Sequence, residues 1–213
     1  MTEQPQRLRL GYHQELEAIS AKVTKLYALV SEGVAAANEA LMADDTEALA
    51  AVRAGEATVD ELMVDLEAGV ERLLLLQSPV AGELRWILTL VRIVPELERS
   101  GDLAVHIAKR AGSGLAAQLT PVARGQLERM GTIASSLWRE AGDAFADRDP
   151  TAGDRLEQQD DALDDLHTAL TTELLSGALT PALAADATLV ARFYERLGDH
   201  AVHITRRVAD AVR

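Results

Sequence analysis

The stretch LERSGDLAVHIAKR, residues 97–110, returns as YERLGDHAVHITRR at residues 194–207, with nine of fourteen positions identical. Unrelated segments would share roughly one such position, so the chain carries an internal duplication. Each copy holds an acid, a second acid four residues on and a histidine four further: Glu98, Asp102 and His106, then Glu195, Asp199 and His203. At about 100° per residue the three drift by only about 80° around a helix, so they share a face.

The duplication extends outward. Residues 44–62 read DDTEALAAVRAGEATVDEL; without gaps, Asp45, Glu56 and Asp60 fall on Asp149, Asp160 and Asp164 of the later segment. Between these landmarks apolar residues recur every three or four positions, as in Leu16, Ile19, Val23, Leu26 and Val30, and strand-like alternation is scarce. Breakers stand at Asp44-Asp45-Thr46, Ser78-Pro79, Gly112–Gly114 with Thr120-Pro121, Asp147–Pro150 and Ser176–Pro181. The spacing predicts six helices, over 5–43, 46–77, 79–111, 120–147, 150–176 and 181–212. Short connections make neighbours antiparallel. The expected fold is all-α: two tandem antiparallel three-helix bundles, 1–113 and 114–213, joined by a flexible glycine link. Pro95 falls inside the third helix, where it removes a hydrogen bond and should bend the helix near Val91–Pro95.

Composition narrows the function. Apolar residues make up 48% of 213, enough for a sizeable core, and aromatics only 3%, which favours close helix packing through small aliphatic side chains. The net charge of −13 speaks against nucleic acid and against an anionic membrane surface as partners. There is no cysteine, hence no disulfide, thiolate metal site or cysteine nucleophile. No signal-like or membrane-spanning run stands out, and a cytoplasmic protein without membrane insertion is expected. No nucleophile triad, phosphate-cradling glycine loop or nucleotide fingerprint is present.

If the second and third helices of each unit pack side by side, Glu56 and Asp60 face Glu98 and Asp102, and Asp160 and Asp164 face Glu195 and Asp199. Four crowded carboxylates repel, and they are relieved by protonation, by water or by a cation. Carboxylates are hard ligands, and helical bundles build metal sites by projecting them from facing helices. A solvated charged face explains the same spacing; recurrence in both units brings the metal reading level with it. His106 and His203 are weaker candidates, as ligands or as their hydrogen-bond partners. His200 is expected at the surface, and His13 and His167 attract no role. Gly101 and Gly198, inside helices at a cost of about 1 kcal/mol each, suggest tight packing. Arg99 and Arg196 suit salt bridges.

These residues resemble the PhoU family of bacterial phosphate-signalling regulators over nearly the whole chain. The resemblance rests on the duplicated unit, on Glu98-Arg99-x-Gly101-Asp102 and Glu195-Arg196-x-Gly198-Asp199, and on Pro79-x-x-Gly82-Glu83-Leu84-Arg85, similar to the family's P-x-x-x-D-L-R. It implies multinuclear metal binding by Glu98/Asp102 and Glu195/Asp199 with Glu56/Asp60 and Asp160/Asp164 facing them, and no catalysis. It implies a negative regulator of the phosphate-starvation response, connecting the ATPase of the phosphate ABC transporter with a phosphate-sensing histidine kinase. We expect a homodimer. The chain departs from the pattern at His106 and His203, where many relatives have Asn, at Glu83 in place of Asp, and at Ala182 opposite Arg85. The metal is left open among iron, zinc, manganese and magnesium, since imidazole favours zinc or iron. Two other readings stand beside this one: a metal-independent interaction protein whose acids meet a basic partner, and a carboxylate-bridged di-iron enzyme. The second is disfavoured because the sequence contains no Glu-x-x-His.

Overall fold

The structure, a computed structural model, describes residues 3–76, 79 and 81–213, with side chains for 11–75, 79 and 81–213. Seven helices follow in order: α1 Glu3–Ala43, α2 Thr46–Leu76, α3 Ala81–Ala108, α4 Leu115–Gln118, α5 Pro121–Asp147, α6 Ala152–Leu174 and α7 Pro181–Val212. No strand occurs among the described residues, and none of their helices is long and apolar enough to cross a membrane. Six of the seven match the sequence expectation to within three residues. The Ser78 side of the expected Ser78-Pro79 cap lies outside the described residues.

Local chemistry sets the boundaries. Asp45 Oδ1 accepts hydrogen bonds from the Glu47 and Ala48 amides, which caps α2. Thr120 caps α5 through the Ala123 amide and Thr180 caps α7 through the Leu183 amide, each with proline in the first turn. Asp149 accepts hydrogen bonds from the Thr151 hydroxyl, the Thr151 amide and the Arg155 guanidinium, and these hold its carboxyl down at about 2.

Two differences from expectation arise between the units. The extra helix, α4, is a single turn whose Leu115 and Ala116 are buried against α1 and α7. The glycine link is also tied down. Asp44 Oδ1 accepts the amides of Gly112 at 2.6 Å and Gly114 at 3.0 Å, and so fastens the α1–α2 turn to it. Gly112 has φ +80°, and a β-carbon there would stand 2.3 Å from Thr46 Cγ2, so only glycine fits.

Helices α1–α3 pack mutually, as do α5–α7, and the two bundles join through α1 against α5 and α3 against α7. Tyr27 of α1 meets Trp138 and Phe145 of α5 at ring distances of 6.2 and 5.1 Å, and Trp86 of α3 stacks on Phe145. Buried Trp138 donates Nε1–H to the Leu197 carbonyl, which satisfies its one polar group. Glycines bring α1 and α5 close: Gly142 lies against Tyr27, and Gly131 against Asn38, whose Oδ1 accepts the Tyr194 hydroxyl at 2.9 Å. Along the antiparallel α3–α7 pair, Arg110 faces Asp186, His106 stacks on Phe193, Ser100 meets His200 and Glu96 faces Arg207. Helix α3 continues through Pro95. Proline has no amide hydrogen to give, so the Val91 carbonyl loses its intrahelical partner.

A β-carbon on Gly131 would lie 2.0 Å from Asn38 Oδ1. Gly131→Ala should therefore expel Asn38 from its bond with Tyr194 and destabilise the protein by about 1–3 kcal/mol. Urea unfolding would measure this, with Gly125→Ala, where no atom lies within 4 Å, as the neutral comparison.

Candidate functional site

The acids singled out by the repeat lie along two surface seams. In the first unit, Glu56, Asp60 and Met63 follow one face of α2, and Glu98 and Asp102 the facing stripe of α3. Glu56, Glu98 and Asp102 are half-buried and Asp60 is exposed. Burial raises the Glu98 carboxyl above the usual range, and the charges of Asp102, Asp60 and Glu56 raise it further against the opposing Arg99. The four acids thus share one field, as the side-by-side packing of α2 and α3 requires.

The second seam is tighter. Burial, then Asp164, Asp199 and Glu195, push the Asp160 carboxyl from its ordinary 3.8 to about 7. Burial also raises Glu195, outweighing the Arg192 guanidinium paired with it, and raises Asp164. Asp160 Oδ1 and Glu195 Oε2 are buried without a hydrogen-bond partner. Such atoms are costly to leave unpaired.

The two recurrent glycines part company here. A β-carbon on Gly198 would stand 2.1 Å from Asp160 Oδ1 and 2.7 Å from Leu163 Cδ2. The bare α-carbon is the space into which the carboxylate fits. Gly101 has no atom within 4 Å of the same position and borders a cleft of about 200 Å³ between α1, α2 and α3. The tight-packing reading therefore holds for Gly198 and fails for Gly101.

The histidines rearrange the expected picture. His106 is turned to Phe193 of α7, with ring centroids 5.6 Å apart. His203 is exposed, and among the described residues no hydrogen bond or ion pair joins it to an acid. His200, expected at the surface, is half-buried. Its Nδ1 lies 2.9 Å from Ser100 Oγ, which in turn donates to the Glu96 carbonyl. Burial lowers its pKa, because the charged ring is poorly solvated there. His167, to which the sequence assigns no role, faces the second seam: burial raises Asp164 and Glu195, and the His167 charge opposes that rise in both. Its spacing from Asp160 and Asp164, i+7 and i+3, was the available signal. The equivalent position in the first unit is Met63.

Among the described residues, no group of three or more His, Asp or Glu side chains stands together so as to hold a metal ion. The second seam nonetheless fits a hard cation in kind: its donors are carboxylates, and two of their oxygens are buried and unpaired. Asp160, Asp164, Glu195 and Asp199 would hold such an ion there, and Glu56, Asp60, Glu98 and Asp102 would do so at the more open seam. A bound cation would supply the positive charge that crowded carboxylates lack.

The family model described as the PhoU domain matches residues 23–111 and again 127–208. A phosphate-specific transport system accessory protein, PhoU homolog 2, from Mycobacterium tuberculosis is 34% identical over 204 residues, covering 94% of this chain and 96% of that protein. A PhoU homolog from Aquifex aeolicus is 34% identical over 188 residues, covering 86% and 84%. The crystal structure of PhoU from Pseudomonas aeruginosa superposes with a TM-score of 0.88 at 26% identity, covering 95% of this chain and 99% of that one.

Gly198→Ala should destabilise by about 1–3 kcal/mol as Asp160 is displaced, whereas Gly101→Ala should be neutral or gain up to about 1 kcal/mol of helix propensity; denaturant midpoints would show the split. The raised Asp160 pKa also fixes a pH trend. The native state keeps a proton that the unfolded chain releases above its ordinary 3.8, so stability is fullest at acid pH and declines as pH rises towards and through 7. In metal-free buffer the melting temperature should fall from pH 5 to pH 8 (roughly the range over which this carboxyl ionises), and less steeply in Asp160→Asn.

Proposed function

The chain belongs to the PhoU family, and from that premise we propose that it serves a phosphate transport system as an accessory, regulatory protein. In this reading it is a negative regulator of the phosphate-starvation response. It acts on the cytoplasmic side, as a homodimer, between the ATPase of the phosphate ABC transporter and a phosphate-sensing histidine kinase. It binds and relays, and we assign it no catalytic step.

The observation that carries the reading is the double acid seam. Glu98 and Asp102 on α3 with Glu56 and Asp60 on α2, and Glu195 and Asp199 on α7 with Asp160 and Asp164 on α6, recur at equivalent places in both bundles. A role that needed only solubility would not need Asp160 and Glu195 half-buried, each with an oxygen left unpaired. The seams take up divalent or trivalent cations from among iron, zinc, manganese and magnesium. Neutralised seams then present a different electrostatic face to the partners.

One observation favours a metal-independent variant of the same role. The acids as placed do not gather three or more ligands, and an acid face can meet a basic patch of the kinase directly. The two variants separate on one set of measurements. Elemental mass spectrometry of tag-free protein purified without chelator should find metal, and the variant with Glu98, Asp102, Glu195 and Asp199 all changed to Ala should carry none. The same variant should bind the kinase about ten-fold more weakly or worse, the equivalent of one lost charge-assisted contact. Kinase binding that survives chelator but not the substitutions would select the metal-independent variant. Binding unchanged in both would sink the proposed use of the seams.

A further inference from the structure

We propose that the apolar face continuing the first acid seam along α2 and α3 is a docking groove for an amphipathic helix of a partner protein, one that is basic along one flank and at one end. The groove itself is lined without Glu56, Asp60, Glu98 or Asp102 and adjoins them only at one end, so its apolar contacts do not require a metal on those acids.

Leu84, Leu88, Val91, Pro95, Glu98 and Asp102 are spaced i, i+4, i+7, i+11, i+14 and i+18, so they form a single line along α3. On α2, Glu56, Asp60, Met63, Glu67, Glu71 and Leu74 repeat nearly the same spacing. One seam therefore carries acids at one end and an apolar groove at the other. The groove holds about 370 Å³, floored by Ile19, Leu66, Val70 and Leu90 and walled by Val91, Pro95 and Leu74. Leu84, Leu88 and Val91 are 37, 42 and 46% exposed, unusual for aliphatic side chains in such an ordered row.

The fold does not demand the stripe. The equivalents of Leu84, Leu88, Val91 and Pro95 in the second unit are Pro181, Ala185, Thr188 and Arg192, and Arg192 is paired with Glu195. The same architecture thus stands with a small and polar row at these positions.

Charge selects the occupant. Glu67 and Glu71 line the α2 edge. Leu90, one residue before Val91, lies in the groove, so exposed Arg92, one residue after, lies on the far side, with exposed Arg85 seven residues earlier. A helix with an apolar stripe, bases on the flank towards α2, acids on the other and bases at the end reaching Glu98 and Asp102 matches every edge. A second copy does not. A two-fold with the α3 helices parallel sets the two acid ends opposite each other, and a two-fold with them antiparallel sets the Glu67/Glu71 edges opposite each other.

The test uses the full chain and a fluorescein-labelled synthetic helical peptide of about 18 residues, five turns long. It has Leu at i, i+4, i+7 and i+11, Lys on one flank, Glu on the other and Arg at one end. A second peptide has the flanks exchanged. Anisotropy should give saturable binding to the wild type. Leu88→Asp and Val91→Asp should each weaken it by about ten-fold or more, and Leu84→Gln, milder for folding, by a smaller factor. Glu67→Arg with Glu71→Arg should shift preference to the flank-exchanged peptide. Circular dichroism would confirm that each variant folds. The proposal is overturned by three results: no saturable binding, equal binding by wild type and Leu88→Asp, or a wild-type dimer in sedimentation that Leu88→Asp turns into monomer, which would make a second copy the occupant.

Discussion

The close approach of the two bundles along α1–α5 and α3–α7 governs the rest of the molecule. Gly131 and Gly142 let α5 come against Asn38 and Tyr27 of α1, and the Tyr194–Asn38 and Trp138–Leu197 hydrogen bonds cross helices whose apolar faces exclude water. With α1, α3, α5 and α7 committed to this junction, α2 and α6 are left on the outside. Each then makes one seam with the last helix of its own unit, α3 or α7. Acids that would be intolerable in the core are tolerable in those seams because one side faces water.

Most of this was legible in the sequence because it depends on local periodicity and on a repeat. Helix ends marked by Asp45, Thr120-Pro121 and Thr180-Pro181 carry their cause in the residue itself. The pairing of α2 acids with α3 acids followed from short connections. What escaped depends on partners far along the chain. His200 looks like a surface residue on its own helix and is half-buried only because Ser100, a hundred positions earlier, meets it. Gly101 and Gly198 are identical in motif, yet what faces them differs: open cleft in one case, the Asp160 carboxylate in the other. The glycine link read as flexible because its tether, Asp44, lies in another turn.

The two copies differ at the positions that flank their acids. The second seam has His167 and Arg192 where the first has Met63 and Pro95, so its acids are packed tightly and only partly compensated from within. The first seam keeps its acids more open, and its neighbouring stretch of α3 is apolar instead of polar. Duplication supplied two equivalent frames; local substitutions then made one more enclosed and the other more available to a partner.

The Asp44 clasp bears on how such a molecule can move. A linker free at both ends would let one bundle swing about the other as a hinge. Here the linker amides are held by the turn between α1 and α2, so the pivot belongs to the first bundle and is braced against it. A clasp of this kind favours sliding along the α1–α5 and α3–α7 contacts, a shear, over a hinge at the link. A signal carried by this protein would travel as small displacements of packed helices, not as the opening and closing of two lobes.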